Sequence, residues 1–381
     1  VLDAAKKIAP FGHLLFLKSM AHALRIGFIP LLDGAPLVIA HEKGFFEKQG
    51  LAVELLKAQS WDQVLARLVE GEVEAAHMLV TVPLQWVLTP RGKADPLVYA
   101  VSLSHHGNAI TISNALWRGG VRDAVTLKEY ARTLADRPLQ LAVVHPRSTH
   151  EYLLRLWLEA GDLKVGEGIV LRYVAPPVMV SQLREGGIDA FCVGEPWNQR
   201  AVSSKLGYIA VTGSDLLPPM NEKVLAVRAA WHREHPEQHA AMVRAVAEAS
   251  DWLGNPANLD EAVERISGKR YVNTPPDPVR AAMRGVLQGG GHRTLTPRGF
   301  LRFAGEGTNF PDPNHARFYL ERMWRAGHVS AEQAEEIDLR SICLDRFYED
   351  TLQAAGLATP DRFPTPRVES YASFLQRFPT R

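Results

Sequence analysis

Apolar residues recur along this chain in short alternating runs and in longer runs at helical spacing, and the two kinds take turns. Leu24-Arg25-Ile26-Gly27-Phe28-Ile29 alternates as a strand does, residues 30–36 read as a loop bounded by prolines, and residues 37–46 have helical spacing closed by Gly50. Strands are expected at 52–56 and 75–80 with a helix at 63–69 between them, the alternation of a largely parallel sheet. Two more strands are expected at 97–103 and 109–113. The rhythm then repeats, with strands at 139–144, 169–174, 190–193 and 208–211 and helices at 151–160 and 178–185.

One unit is used twice. Leu68-Val69-Glu70-Gly71-Glu72-Val73-Glu74-Ala75-Ala76-His77 returns as Leu183-Arg184-Glu185-Gly186-Gly187-Ile188-Asp189-Ala190-Phe191-Cys192. Each copy is a helix stopped at glycine that feeds a short apolar strand preceded by an acid. Two alike α/β lobes facing across a cleft follow from this, and such a cleft favours ligand binding over catalysis. Residues 224–228 read as a strand returning to lobe one. Helices are expected after it at 236–253, 259–266, 277–287, 314–326 and 330–337, wrapping the lobes. The expected division is an N-terminal extension at 1–23, lobe one at 24–112 and 222–381, and lobe two at 113–221.

Composition narrows the function. The 381 residues are 46% hydrophobic, enough for a large core, and 43 Lys and Arg against 42 Asp and Glu leave a net charge of +1. That balance offers no broad field for nucleic acid or anionic lipid, so direct nucleic-acid binding and membrane insertion are not expected. Cys192 and Cys343 have no metal-ligand spacing, and adjacent His105 and His106 point to opposite faces of a strand, so no metal site is expected. Gly289-Gly290-Gly291 lacks the Lys and Ser or Thr of a phosphate loop and reads as a helix stop or a mobile loop. Near the start, Lys6 and Lys7 precede apolar Leu14-Leu15-Phe16-Leu17, but Pro10, Gly12, His13 and Lys18 break the stretch. The expectation is a cytoplasmic protein, with a periplasmic one as the alternative. The tail from Ala358, rich in Pro and Arg, reads as a surface strap or docking segment.

Candidate binding residues gather where strands end. His145-Pro146-Arg147-Ser148-Thr149-His150 lies between a strand and a helix, with Ser148 or Thr149 as N-cap, and helix starts favour small anions. Trp61, after N-cap candidate Ser60, and Lys223, ahead of the return strand, could each reach the cleft. Gly194-Glu195-Pro196-Trp197-Asn198 ends the repeated strand of lobe two, and Glu195 either faces the cleft or caps the next helix. No catalytic constellation and no cofactor motif is present in these patterns, so the chain is read as a binding protein rather than an enzyme.

Taken in order, Arg25 to Phe28, Ala35-Pro36-Leu37-Val38-Ile39-Ala40, Ser60-Trp61, Ala75-Ala76-His77-Met78, Gly107-Asn108-Ala109-Ile110-Thr111, Gly194-Glu195-Pro196-Trp197-Asn198 and Glu222-Lys223-Val224-Leu225 resemble nitrate- and bicarbonate-binding components of bacterial ABC transporters. They equally resemble the soluble nitrate/nitrite sensors of the NasS type. The resemblance implies a type II periplasmic-binding-protein fold with one oxyanion in the cleft. It places the pocket on Trp61, His150, Lys223 and a polar side chain from the Gly107-Asn108-Ala109 segment, with Thr149 and Glu195 as further candidates. Asn108 stands where the transporter proteins tend to carry a longer Gln. Lys223 implies nitrate or nitrite rather than bicarbonate, because the bicarbonate proteins place an acidic residue there. The expected role is a sensor that controls a NasT-type antiterminator carrying an RNA-binding ANTAR domain. The alternative is the nitrate-binding component of an ABC importer, partnered by a permease, and the third is an enzyme on the same fold.

Overall fold

The computed structural model describes residues 23–134 and 137–357. The extension and the Pro/Arg-rich tail expected from sequence lie outside the described residues, except for Ala23. Strands β1 (Leu24–Phe28), β2 (Val53–Lys57), β3 (Ala75–Leu79) and β4 (Leu97–His106) open the first sheet. The second sheet is built from β5 (Asn108–Ser113), β6 (Leu139–Val143), β7 (Ile169–Tyr173), β8 (Ala190–Gly194) and β9 (Gly207–Thr212). The chain then returns with β10 (Asn221–Arg228), forms a hairpin of β11 (Leu287–Gly290) and β12 (Arg293–Leu295), and adds β13 (Leu301–Arg302) to the first sheet.

The sheet orders are β13-β4-β10-β3-β1-β2 and β7-β6-β8-β5-β9. In the first, β1 runs parallel to β2 and β3; in the second, β6 runs parallel to β7 and β8. Each sheet then accepts a strand arriving from the other lobe, which runs antiparallel beside the repeated strand: β10 beside β3 and β5 beside β8. The sheets are therefore mixed rather than largely parallel, because a strand entering across the hinge points the opposite way.

The repeated unit has the same job in both lobes. Helices Trp61–Val69 and Met179–Glu185 end ahead of Gly71 and Gly186, which take φ of 75° and 73°, a left-handed turn that costs glycine nothing. The acid before each strand then ties down its parallel neighbour. Glu74 accepts from the Arg25 backbone N–H at 2.7 Å, and Asp189 accepts from that of Gln140 at 2.8 Å. Arg25 and Arg137 close ion pairs of 2.9 and 2.8 Å on the same two acids.

Several boundaries differ from the sequence pattern. β5 belongs to the second sheet, so the first crossing falls at Gly107 rather than after Ile112. Gly107 sits at φ 95° with its N–H 2.6 Å from the Phe300 carbonyl, and a Cβ there would meet Leu301 Cδ1 at 2.8 Å. The helix expected at 277–287 stops at Arg284, because Gly285 takes φ 69°, and Leu287 begins the β11–β12 hairpin instead. The three glycines at 289–291 thus lie in that hairpin, where a Cβ on Gly290 would strike the Tyr208 ring at 2.4 Å. Helix Pro313–Arg325 bridges the lobes, with Arg322 paired to Glu159 at 2.6 Å.

Candidate functional site

The cleft is lined by the carboxyl ends of β1, β3 and β8 and by the start of helix Thr149–Ala160, the edge at which α/β sheets expose their loops. Ser148 is the N-cap, its hydroxyl accepting from the Glu151 N–H at 3.2 Å, so Thr149 and His150 occupy the first turn with their side chains buried in the cleft. Trp61 opens its own helix behind N-cap Ser60, which accepts from the Gln63 N–H at 3.2 Å.

Lys223 is the centre. It is wholly buried, with its ammonium 5.8 Å from the centroid of the Trp61 ring. Two carboxylates hold it: Asp33 Oδ2 at 2.9 Å and Glu222 Oε1 at 2.7 Å. Neighbours in a strand ordinarily point to opposite faces. Here the β10–β4 register shifts between Asn221 and Lys223, and the bulge brings Glu222 and Lys223 together. Burial alone would lower the Lys223 pKa, but Asp33 and Glu222 outweigh it and raise it above the ordinary value, so the ammonium is charged.

The shell continues on both sides. From lobe one, His77 Nε2 lies 3.0 Å from Asp33 Oδ1, while the Ile29 N–H points at His77 Nδ1 across 3.4 Å. One side of the ring thus serves Asp33 and the other the Ile29 N–H. Burial works to raise the Asp33 pKa, yet Lys223 and His77 together hold it down at about 2. From lobe two, His150 Nε2 lies 2.8 Å from Asn108 Oδ1 and 3.7 Å from Glu222 Oε1, and Thr149 donates its hydroxyl to the same Glu222 oxygen. Burial and then Lys223 push the His150 pKa well below the usual histidine range, so the ring is neutral.

Trp61, Asn108, Thr149, His150 and Lys223, all singled out from the sequence, are thus neighbours in one buried cluster. Glu195 is not one of its charged members. Its backbone closes the cleft, the carbonyl accepting from the Leu32 N–H at 2.8 Å and the N–H donating to Gly107 at 2.9 Å. Its carboxyl accepts from the Gln199 N–H at 3.1 Å, the capping role. Asp33, His77 and Glu222 belong to the cluster and were not picked out by sequence reasoning. His77 carried a signal: it is the polar residue of a fully buried strand, at the position where the second copy of the repeat has Cys192. Besides the ion-paired atoms of Asp33 and His77, the cluster buries Trp61 Nε1, Asn108 Nδ2 and His150 Nδ1 with no hydrogen-bond partner among the described residues. The N–H groups of Trp61 and Asn108 are costly to bury without partners, and a small ligand accepting from both would offset that.

These features define a two-lobed protein of the type II periplasmic-binding-protein fold. The chain belongs to the NMT1-like family, which it matches over residues 18–267. It is 32% identical to the bicarbonate transport ATP-binding protein CmpC of Synechococcus elongatus over 88% of this chain and 50% of that protein. It is 36% identical to the nitrate import ATP-binding protein NrtC of Synechocystis over 80% of this chain and 46% of that one, so it spans about half the length of these curated relatives. Its fold matches the crystal structure of the periplasmic nitrate-binding protein NrtA from Synechocystis PCC 6803 with a TM-score of 0.82 and 28% identity, covering 87% of this chain and 88% of that one. These relatives are named for bicarbonate and nitrate transport and for nitrate binding.

Proposed function

We propose that this protein binds nitrate or nitrite between its lobes as the ligand-binding part of an ABC importer. The observation that carries this reading is the buried Lys223 ammonium beside the Trp61 ring, with unpartnered polar nitrogens of Trp61, Asn108 and His150 around it. Nitrate is a planar monoanion with weakly basic oxygens. It is best held by several N–H donors, one cation and a flat aromatic wall. The first turn of helix Thr149–Ala160 adds the positive end of its dipole. The names of the relatives, drawn from nitrate and bicarbonate transport, support an importer and a periplasmic place of work. The same closure would serve a cytoplasmic sensor holding a NasT-type antiterminator, and release of such a partner on anion binding would favour that use.

The test is calorimetric titration with nitrate, nitrite and bicarbonate in a chloride-free buffer, on the native protein, Lys223→Ala and Trp61→Phe. Nitrate or nitrite heat should vanish in Lys223→Ala. It should weaken in Trp61→Phe, which loses one N–H and keeps the packing. No heat with any of the three anions in the folded native protein would refute the reading.

A further inference from the structure

The charges around Lys223 do not balance. Asp33 and Glu222 each press a carboxylate on one ammonium, at 2.9 and 2.7 Å. His77 meets this group through Asp33, its Nε2 facing Oδ1 while the Ile29 N–H faces its Nδ1. The other groups that face Glu222 are Thr149 and His150 on the helix start, Cys192 on β8 and Tyr319 on helix Pro313–Arg325. Burial and the Glu222 carboxylate push the Cys192 thiol and the Tyr319 phenol well above their ordinary values, so both are neutral. The two carboxylates thus share the one Lys223 ammonium. Adding a nitrate would set a third anion beside that cation, and like charges held close in a low-dielectric site repel strongly.

His150 shows a second mismatch. With its Nε2 proton directed at Asn108 Oδ1, the neutral ring turns a lone pair outward at Nδ1, which has no partner among the described residues. A lone pair repels an anion. One added proton cancels a charge wherever in the cluster it sits, and on His150 it also makes the second ring nitrogen a donor.

Resting on the binding reading above, we infer that the cleft takes its anion together with one proton, held by the Glu222–His150 pair, whose atoms lie 3.7 Å apart. The proton belongs to the pair: His150 doubly protonated beside ionised Glu222, and neutral His150 beside protonated Glu222, carry the same charge. The effective ligand is then the anion plus one proton. Binding of nitrate weakens as pH rises, by up to about tenfold in Kd per unit while the empty pair is unprotonated and the loaded pair holds its proton.

The experiment is titration of the whole chain with sodium nitrate at fixed pH in buffers of low and high ionisation heat, which counts protons taken up per anion. The native protein should take up close to one. Glu222→Gln, lacking the second carboxylate, should take up markedly less than one proton per nitrate bound, with an affinity that falls less steeply with pH. Nitrate bound by the native protein with no proton uptake would overturn the inference and leave the binding reading standing. Glu222→Gln that still takes up one proton would overturn the pair as its holder. Absence of nitrate heat at any pH would instead strike the binding reading itself.

Discussion

At the scale of single residues, burial decides which groups are charged. Lys223 and Asp33 keep their charges because each lies within 3 Å of the other, whereas Glu195 has no cation beside it among the described residues. Burial pushes the Glu195 carboxyl up to about 8, against the hydrogen bonds it receives from Gln199 and Asn198. In the unfolded chain an ordinary glutamate titrates near about 4.3. A folded value above the unfolded one means that its contribution to stability is whole below the unfolded pKa and is lost as pH rises through about 8. The native protein should therefore lose thermal stability between about pH 5 and pH 8, by up to roughly 1.4 kcal/mol per unit from this one group, and level off above that. Glu195→Gln should flatten that decline, and melting curves of the two proteins across the range would show it. Parallel declines would mean that Glu195 is not the group titrating.

The scale of elements is where the cleft is assembled and where a sequence pattern has its limits. Gly194, the last residue of β8, lets lobe two approach Asp33: a Cβ there would lie 3.0 Å from Asp33 Oδ2 and 3.4 Å from Asn108 Oδ1. Both oxygens serve the cluster, the first on Lys223 and the second on His150. Gly194→Ala should hold the lobes slightly apart and weaken nitrate binding by about tenfold or more with little change in melting temperature. An unchanged Kd would show that the contact gives way cheaply. The repeated helix–glycine–strand unit was legible because it is local, and with it came the two lobes and the helix starts that carry Trp61, Thr149 and His150. Glu222 was not. Its approach to Lys223 depends on a bulge in β10, and a bulge is a property of pairing with β4, more than a hundred residues away in sequence. Asp33 was hidden for a similar reason, since a loop acid acquires meaning only when His77 and Lys223 arrive from other strands. Similarly, β5 was misplaced because an apolar strand does not say which sheet it will join.

For the whole molecule, the question is what holds the lobes closed. Two covalent crossings, at Gly107 and just before Asn221, set the hinge. A third connection is made by the segment of helix Pro313–Arg325 and the turn after it. His315 reaches Asn221 at 3.0 Å beside the hinge, Arg322 pairs with Glu159 at 2.6 Å, and the Tyr152 hydroxyl lies 2.9 Å from His328 Nδ1. Glu159 and Tyr152 belong to helix Thr149–Ala160, the same helix that presents His150 to the cleft. Opening the cleft by rotating lobe two must either break these contacts or carry the strap along. If they break, the strap favours the closed form, and weakening it shifts the population toward the open one without touching the ligand's own contacts. Glu159→Gln should then raise the nitrate Kd several-fold, speed dissociation and enlarge the radius of gyration of the unliganded protein in small-angle scattering. A lowered melting temperature with unchanged Kd and unchanged radius would mean that the strap rides on lobe two as part of one rigid body, and that closure is governed by the other contacts between the lobes, the Lys223 cluster among them.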